Sequence, residues 1–387
     1  MPRPNRIMHL VGVTLVFLPA LASGQLRNVT VFTVLSENES SRIVAIDLDT
    51  GTRSQIVADG PIRHEMIWSS DHEALIFFQA APDGTRDIAM YHRPSGETSL
   101  VYRTGRKRAS GLALQPDTDR LFYTIGERDS GPCGWDMVSI DLTAGRNQRE
   151  RKVFDPAGHT IQWPDFAPDG RSMLVAYYPG HSWAPRFEIH RVNVAPDGNL
   201  SGFTRLTDNS LIDIIPRQLP GGHFVWRSQK LHGKTRLMLA SADGRTQRSL
   251  YESTDDKHSI SPPSTLGNLI AFSTTGRGPS ALMVVATDGT RVHREVFNGE
   301  KVVAAVMVPS GSASRVASRG EAAHDASQPV GPTAPPAVAS DEPTATHGTP
   351  FLARKFDVRD AAWRLLNPEL RKSDRALDAC EAEPPAL

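Results

Sequence analysis

Side chains suited to ligand binding are concentrated in two stretches of the sequence that lack the alternating pattern of a β-strand, with one histidine between them. Aromatic and arginine side chains supply much of the energy at protein interfaces, and binding residues commonly lie on loops that a rigid scaffold positions. The alternative is that the two tryptophans only cover strand ends as part of the core. The candidate binding residues are Arg128, Trp135, His159, Tyr178, His181, Trp183 and Arg186.

The sequence carries no local motif for catalysis or metal binding. It has no Gly-x-Ser-x-Gly elbow, no glycine-rich phosphate loop, no His-Glu-x-x-His and no twelve-residue calcium loop. Its two cysteines, Cys133 and Cys380, do not have the spacing of zinc ligands. We therefore predict no catalytic residues, no metal and no cofactor.

A repeat of tight turns indicates the strands that must position the candidate residues. Each turn follows a run of apolar and β-branched residues, and its glycine supplies the positive φ that a tight hairpin turn requires. Successive glycines are 45 to 53 residues apart. The six turn glycines are Gly51, Gly96, Gly145, Gly198, Gly244 and Gly289.

A second set of turns alternates with the first, and five of its six members directly precede an apolar run. Each repeat therefore holds four short strands. This number of strands in about 40–50 residues is typical of a propeller blade. We predict an all-β, six-bladed β-propeller. The second turns begin at Ser70, Pro116, Pro168, Pro220, Leu266 and Pro309.

The sixth repeat lacks its own second strand after Pro309. The apolar run at residues 29–34 has the missing pattern, so we predict that this N-terminal strand completes the last blade beside residues 302–308. Such closure removes open sheet edges, which otherwise favour aggregation.

One repeat closely resembles the TolB-type propeller repeat. It runs from Trp163 through the turn Pro168-Asp169-Gly170 to the apolar residues Met173–Ala176, and residues 67–71 give a second match. The resemblance covers residues 26–309 and implies a TolB-like propeller without the additional N-terminal α/β domain of TolB itself.

Related propellers also occur in enzymes, including polysaccharide lyases whose sites draw residues from several blades. Such a site in the central channel leaves no linear motif. The second hypothesis is therefore a channel enzyme, for which the candidates are His159, His181, Arg186, His223 and His258.

The two ends of the sequence differ from the repeats. Residues 1–24 have the basic start, short apolar run and small residues of a signal peptide, which predicts a periplasmic or secreted protein with no membrane span after cleavage. We expect the propeller over residues 25–309, a disordered Ala/Pro/Ser-rich linker over 310–349 and a short helical tail over 350–387.

The overall charge also restricts the partner class. The chain has 43 basic and 43 acidic residues, which argues against binding nucleic acid through net charge. The basic run at residues 103–108 is either a solvated loop or a patch for an anionic polymer or lipid headgroup. Our first hypothesis is a monomeric, exported and non-enzymatic propeller. It binds a protein or peptide partner, for example one of the cell envelope, on its loop face.

Overall fold

The structure is a computed structural model that describes residues 28–106, 108–126, 135–147, 149–154, 160–179, 186–230, 233–254, 258–276 and 279–310. The expected signal peptide, linker and helical tail lie outside these residues. No helix among the described residues has the length and apolar character needed to cross a bilayer.

The described residues form short strands throughout. The first seven are β1 (Val29–Glu37), β2 (Ser40–Asp47), β3 (Arg53–Gly60), β4 (Arg63–Ser69), β5 (Ala74–Ala80), β6 (Arg86–His92) and β7 (Glu97–Arg103). The next eight are β8 (Ala109–Leu114), β9 (Arg120–Gly126), β10 (Trp135–Asp141), β11 (Arg151–Phe154), β12 (Thr160–Phe166), β13 (Ser172–Tyr178), β14 (Glu188–Val194) and β15 (Leu200–Arg205). The last ten are β16 (Ile212–Gln218), β17 (Phe224–Gln229), β18 (Thr235–Ala240), β19 (Gln247–Glu252), β20 (Ser259–Ile260), β21 (Ser264–Leu266), β22 (Leu269–Thr275), β23 (Ser280–Ala286), β24 (Arg291–Phe297) and β25 (Lys301–Pro309).

The strands assemble into five sheets. Sheet I has the order β25-β1-β2-β3, sheet II contains β4–β7, sheet III contains β8–β15, sheet IV contains β16–β19 and sheet V contains β20–β24. Neighbouring strands are antiparallel, with one exception. A single parallel pair, Trp135 with Thr160, joins β10 to β12 and thereby connects two four-stranded halves of sheet III, β8–β11 and β12–β15.

The N-terminal strand closes sheet I as the sequence predicts. β1 lies between β25 and β2, with Thr30 opposite Val308 on one side and opposite Asp47 on the other. The all-β propeller arrangement closed by this strand is therefore confirmed.

The connections lie at two ends of each sheet. The two sets of turns in the repeat join first to second and third to fourth strands, and we call this side the turn end. The connections from second to third strand and from one sheet to the next lie on the other side, which we call the loop end. Gly51 at the β2–β3 turn and Gly170 at the β12–β13 turn both have positive φ, 69° and 65°, as the turn chemistry requires.

The hydrophobic core lies between successive sheets, because side chains alternate between the two faces of each strand. Phe77 of sheet II packs against sheet I, whereas Phe78 faces the first half of sheet III. Phe122 lies between the two halves of sheet III. All three side chains are fully buried, and each stabilises the fold by roughly 1.5–3 kcal/mol relative to exposure. Equivalent clusters lie between sheets III and IV, IV and V, and V and I.

Hydrogen bonds join each sheet, or each half of sheet III, to the next, so polar contacts also close the ring. Each joint satisfies a polar group that packing alone would leave buried without a partner. In order around the ring the joints are Ser41 with Arg63, Glu65 with Gly111, Gln115 with Gly170, Asp165 with Gln218, Gln218 with Thr265, and Ser264 with Met307.

Candidate ligand-binding site

Only part of the predicted binding face lies within the described residues. Arg128, His159, His181 and Trp183 lie outside them, whereas Trp135, Tyr178 and Arg186 lie inside. The role of the face in binding therefore stays a prediction.

Trp135 and Tyr178 flank Thr160 at the loop end of sheet III. Thr160 pairs with Trp135 on one neighbouring strand and with Tyr178 on the other. The sequence predicts that both residues lie in loops. This prediction is wrong, because their backbones continue the strand pairing of β10 and β13. Trp135 is 6% exposed, and the Arg108 guanidinium lies 4.9 Å from its ring centroid. The indole is therefore a buried support for a cation rather than an exposed anchor.

The described histidines of the channel hypothesis do not converge. His223 lies at the turn end of sheet IV, where its Nδ1 is 3.2 Å from the carbonyl oxygen of Ala240. His258 directly precedes β20 and so lies at the loop end of sheet V. Arg186 is exposed, two residues before β14. The described members of that set are therefore spread over three sheets and both ends.

A different group of polar side chains meets inside the ring. The first strands β4, β8, β12 and β16 each contain an irregularity in strand pairing near their middle. Such bulges bend a strand and redirect its side chains. Three bulge residues have left-handed backbones, with φ of 70° at Gly111, 51° at Trp163 and 56° at Ile215. For a bulky residue this conformation is strained and commonly marks a functional position.

Glu65 lies at the centre of this group. Its carboxylate accepts a hydrogen bond from the backbone N–H of Gly111 in β8, and the Trp163 side chain also hydrogen-bonds to it. The charges of Arg86 and Arg217 act on it as well. All of sheet III separates β4 from β16 along the chain, so the charge of Arg217 acts on Glu65 across the interior of the ring.

We call this group the axial cluster. Its members are half-buried side chains that come from the first strands β4, β12 and β16, from the start of β6 and from the residue before β8. They are Glu65, Arg86, Arg108, Trp163, Asp165 and Arg217.

Both carboxyl groups of the axial cluster favour the protonated form more than in water. Burial raises the pKa of Glu65, although the Gly111 N–H, Arg86 and Arg217 oppose the shift. Burial likewise raises the pKa of Asp165 to about 6, opposed by Arg217 and by the Gln218 N–H. That amide nitrogen is 2.6 Å from Asp165 Oδ2, and Arg217 Nε lies 3.9 Å from Oδ1.

Each guanidinium of the axial cluster has at least one described contact, and that of Arg217 lies beside the Asp165 carboxylate. Arg86 Nη1 donates to the backbone carbonyl of Ala109, and Arg108 stacks on Trp135. Burial and the like charge of Arg108 lower the pKa of Arg86, opposed by Glu65. The cluster contains three guanidiniums, which stay ionised in proteins, and two carboxyl groups, so its net charge is positive. It is therefore suited to bind an anionic group.

Sequence reasoning missed the axial cluster, although one signal was present. Asp165 and Arg217 each lie three residues before a turn proline, Pro168 and Pro220, near the end of a predicted strand. A charge in the same place of two repeats indicates a position that faces solvent or a ligand. The pattern alone could not say that this position faces the inside of the ring.

Comparison with known proteins identifies the fold. No family model and no curated protein matches the sequence. Among solved structures, TolB from Acinetobacter baumannii superposes with a TM-score of 0.59 at 13% identity, over 72% of this chain and 66% of that chain. A chain from Agrobacterium tumefaciens assigned as TolB gives 0.51 at 13% identity, over 69% and 88%.

The fold is that of a TolB-type β-propeller. A chain of a nidogen/laminin complex shares it, with a TM-score of 0.54 at 10% identity over 72% of this chain and 98% of that chain. The match spans slightly less than two thirds of the Acinetobacter TolB. At 10 to 13% identity, the fold is what these chains have in common.

Proposed function

We propose that this protein is an exported, non-enzymatic β-propeller scaffold that binds a protein or peptide partner at its loop end. The observation that carries the proposal is the loop end of sheet III. There Arg186 is exposed, two residues before Glu188, which pairs with Tyr177 near the end of β13. Aromatic and arginine side chains on a rigid β-framework are typical of protein interfaces.

We further propose that the ring has six blades. The parallel contact between the halves of sheet III involves one residue pair, whereas a hydrophobic cluster fills the space between them. Packing of this kind separates the blades elsewhere in the ring, so the halves count as two blades. Export is proposed from the signal-peptide pattern of residues 1–24 and is in keeping with a TolB-type fold.

Site-specific crosslinking tests the proposed face. A photo-reactive amino acid placed at Arg186 lies at the loop end, and the same residue at Arg245 lies in an exposed turn-end position, 88% exposed. After irradiation of intact cells, we expect a crosslinked partner from position 186 and none from position 245. Crosslinks from position 245 alone, or none from either position, would refute a loop-end interface.

A further inference from the structure

A small cavity at the loop end of sheet IV is lined mainly by polar and basic side chains. Its volume is about 190 Å³, and its lining residues are Leu211, Ser228, Gln229, Lys230, Lys234 and Arg236. We propose that this cavity binds a tetrahedral oxyanion, either free phosphate or sulfate or the same group carried as an ester. The inference does not rest on the proposed protein partner, because it concerns another sheet and a ligand that can be added in pure form.

Strand pairing in sheet IV places polar side chains next to one another on one face. Ser228 of β17 lies opposite Asp213 of β16 on one side and opposite Arg236 of β18 on the other. Arg236 in turn lies opposite Glu252 of β19. Directly opposite residues of antiparallel strands face the same side of the sheet, so the cavity is built on paired strands rather than on a single loop.

The connection between β17 and β18 brings two lysines to the same cavity. The Gly233 N–H donates to the carbonyl oxygen of Lys230, 3.1 Å away. A Cβ at Gly233 would lie only 2.7 Å from the Cβ of Lys230, so the chain turns back tightly here. Lys230 and Lys234 therefore both line the cavity.

The charge around the cavity is positive. Its lining residues include three cations and no carboxylate. Glu252 lies beside two of them, with Oε1 3.1 Å from Lys234 Nζ and Oε2 2.7 Å from Arg236 Nε. The part of the chain that the structure describes gives Lys230 no ion-pair partner. Even with Glu252 and the fully buried Asp213 included, three cations against two carboxylates leave a net positive charge.

One lining residue has a polar atom that lacks a hydrogen-bond partner. Ser228 is 1% exposed, and its Oγ has no partner among the described residues. Its neighbour Asp213 is out of hydrogen-bond reach, since Asp213 Oδ1 also has none. A buried hydroxyl without a partner is unfavourable, and a ligand oxygen in the cavity would accept its hydrogen bond.

The donors of the cavity suit a tetrahedral oxyanion better than a carboxylate. A carboxylate is best held by the paired N–H donors of a guanidinium, and Nε of Arg236 already donates to Glu252. Ammonium groups are compact charges that can approach separate oxygens from different directions. The cavity is also smaller than the roughly 300–1,000 Å³ of pockets that hold drug-sized ligands, so it fits an ion or the charged end of an ester.

Calorimetry on the purified protein at low ionic strength tests the inference. The probes are sodium sulfate, sodium phosphate, glycerol 1-phosphate and sodium acetate. We expect sulfate and phosphate to bind at least about 5-fold more tightly than acetate, because a doubly charged ion gains more from several cations, and to bind more weakly as salt is added. Tighter binding of glycerol 1-phosphate than of phosphate identifies an ester as the ligand, whereas the reverse order identifies the free ion.

Two variants and a matched control separate recognition of the anion from a general effect of charge. Lys230→Gln removes a cation without breaking an ion pair and should weaken sulfate binding about 3-fold. Glu252→Gln frees the two cations beside it and should tighten binding by a similar factor. Arg245→Gln is the control, because it removes the same charge from the turn end of the same sheet, where Arg245 is 88% exposed, and it should leave the affinity unchanged.

A third variant tests the hydroxyl in the cavity. Ser228→Ala should weaken sulfate binding without lowering the melting temperature, because the hydroxyl that it removes has no partner in the protein. Acetate binding as tight as sulfate binding, no detectable heat from any probe, weaker binding by Glu252→Gln, or an equal loss in Lys230→Gln and Arg245→Gln would each overturn the inference. The comparison of probes uses the unmodified protein, so it decides the question even if a variant does not fold, and none of these results bears on the crosslinks expected from position 186.

Discussion

The close approach of β8 to β12 makes a quantitative prediction at Gly111. A Cβ at this glycine would lie 2.9 Å from both Cα and N of Trp163, and its φ is 70°. Gly51 has almost the same φ, 69°, but a Cβ there would meet nothing within 4 Å. The pair therefore separates the cost of the backbone conformation from the cost of the contact.

We expect Gly51→Ala to lower the free energy of unfolding by about 1–2 kcal/mol, the cost of a left-handed backbone for a residue with a Cβ. Gly111→Ala adds an overlap with backbone atoms that cannot rotate away. Overpacking of this kind typically costs a further 1–3 kcal/mol or so, for a total of about 2–5 kcal/mol. Urea unfolding at constant pH, analysed with a common m-value, measures both. Equal losses for the two variants would show that the first strands are not packed at the centre of the ring as described.

The remaining predictions concern pH and the ends of the chain. Burial raises the pKa of Asp165 to about 6, so its ionisation lowers stability as pH rises from about 4 through 6, by at most about 3 kcal/mol; solvent reduces this because the side chain is 25% exposed. The melting temperature of Asp165→Asn, relative to that of the unmodified protein, should therefore increase between pH 4.5 and pH 7.5. A difference in melting temperature that is independent of pH would contradict the raised pKa of Asp165. Deleting residues 26–34 should abolish soluble expression, since β1 pairs with both β2 and β25, and a soluble product that melts cooperatively would contradict closure by this strand. Deleting residues 311–387 should change the melting temperature by only a few degrees, because the last strand ends at Pro309, and a loss above about ten degrees would show that the tail belongs to the core.

The fold could be predicted from the sequence because its signals are local. Most of the tight turns contain a glycine or a proline, so residues such as Gly170 and Pro168 indicate the positions of the hairpins directly. The sequence after Pro309 lacks the apolar run of a second strand, which indicated where the ring closes. The last blade then needs a strand from elsewhere in the chain to pair with residues 302–308.

The axial cluster could not be predicted in the same way. Glu65 and Arg217 are separated by more than half of the described chain, and only the ring geometry brings them together. Trp135 shows the converse limit. Its residue type suggested an exposed anchor, but the pairing with Thr160 places it in a strand, and burial by neighbouring side chains cannot be deduced from residue type.

The most direct test of the proposed function is a double variant, Trp183→Ala with Arg186→Ala, measured in two assays. The first is capture of a partner from envelope extracts by the tagged protein, with Arg245→Ala at the turn end as the control. The second is the melting temperature. If the protein binds through its loop end, the double variant should lose the partner that the unmodified protein and the control retain, and its melting temperature should be unchanged. The reason is that interface energy is concentrated in a few aromatic and arginine anchors of about 2 kcal/mol or more each. Retained capture with a lower melting temperature would contradict it, since truncation of a buried tryptophan costs roughly 3–5 kcal/mol of stability and would assign Trp183 to the core.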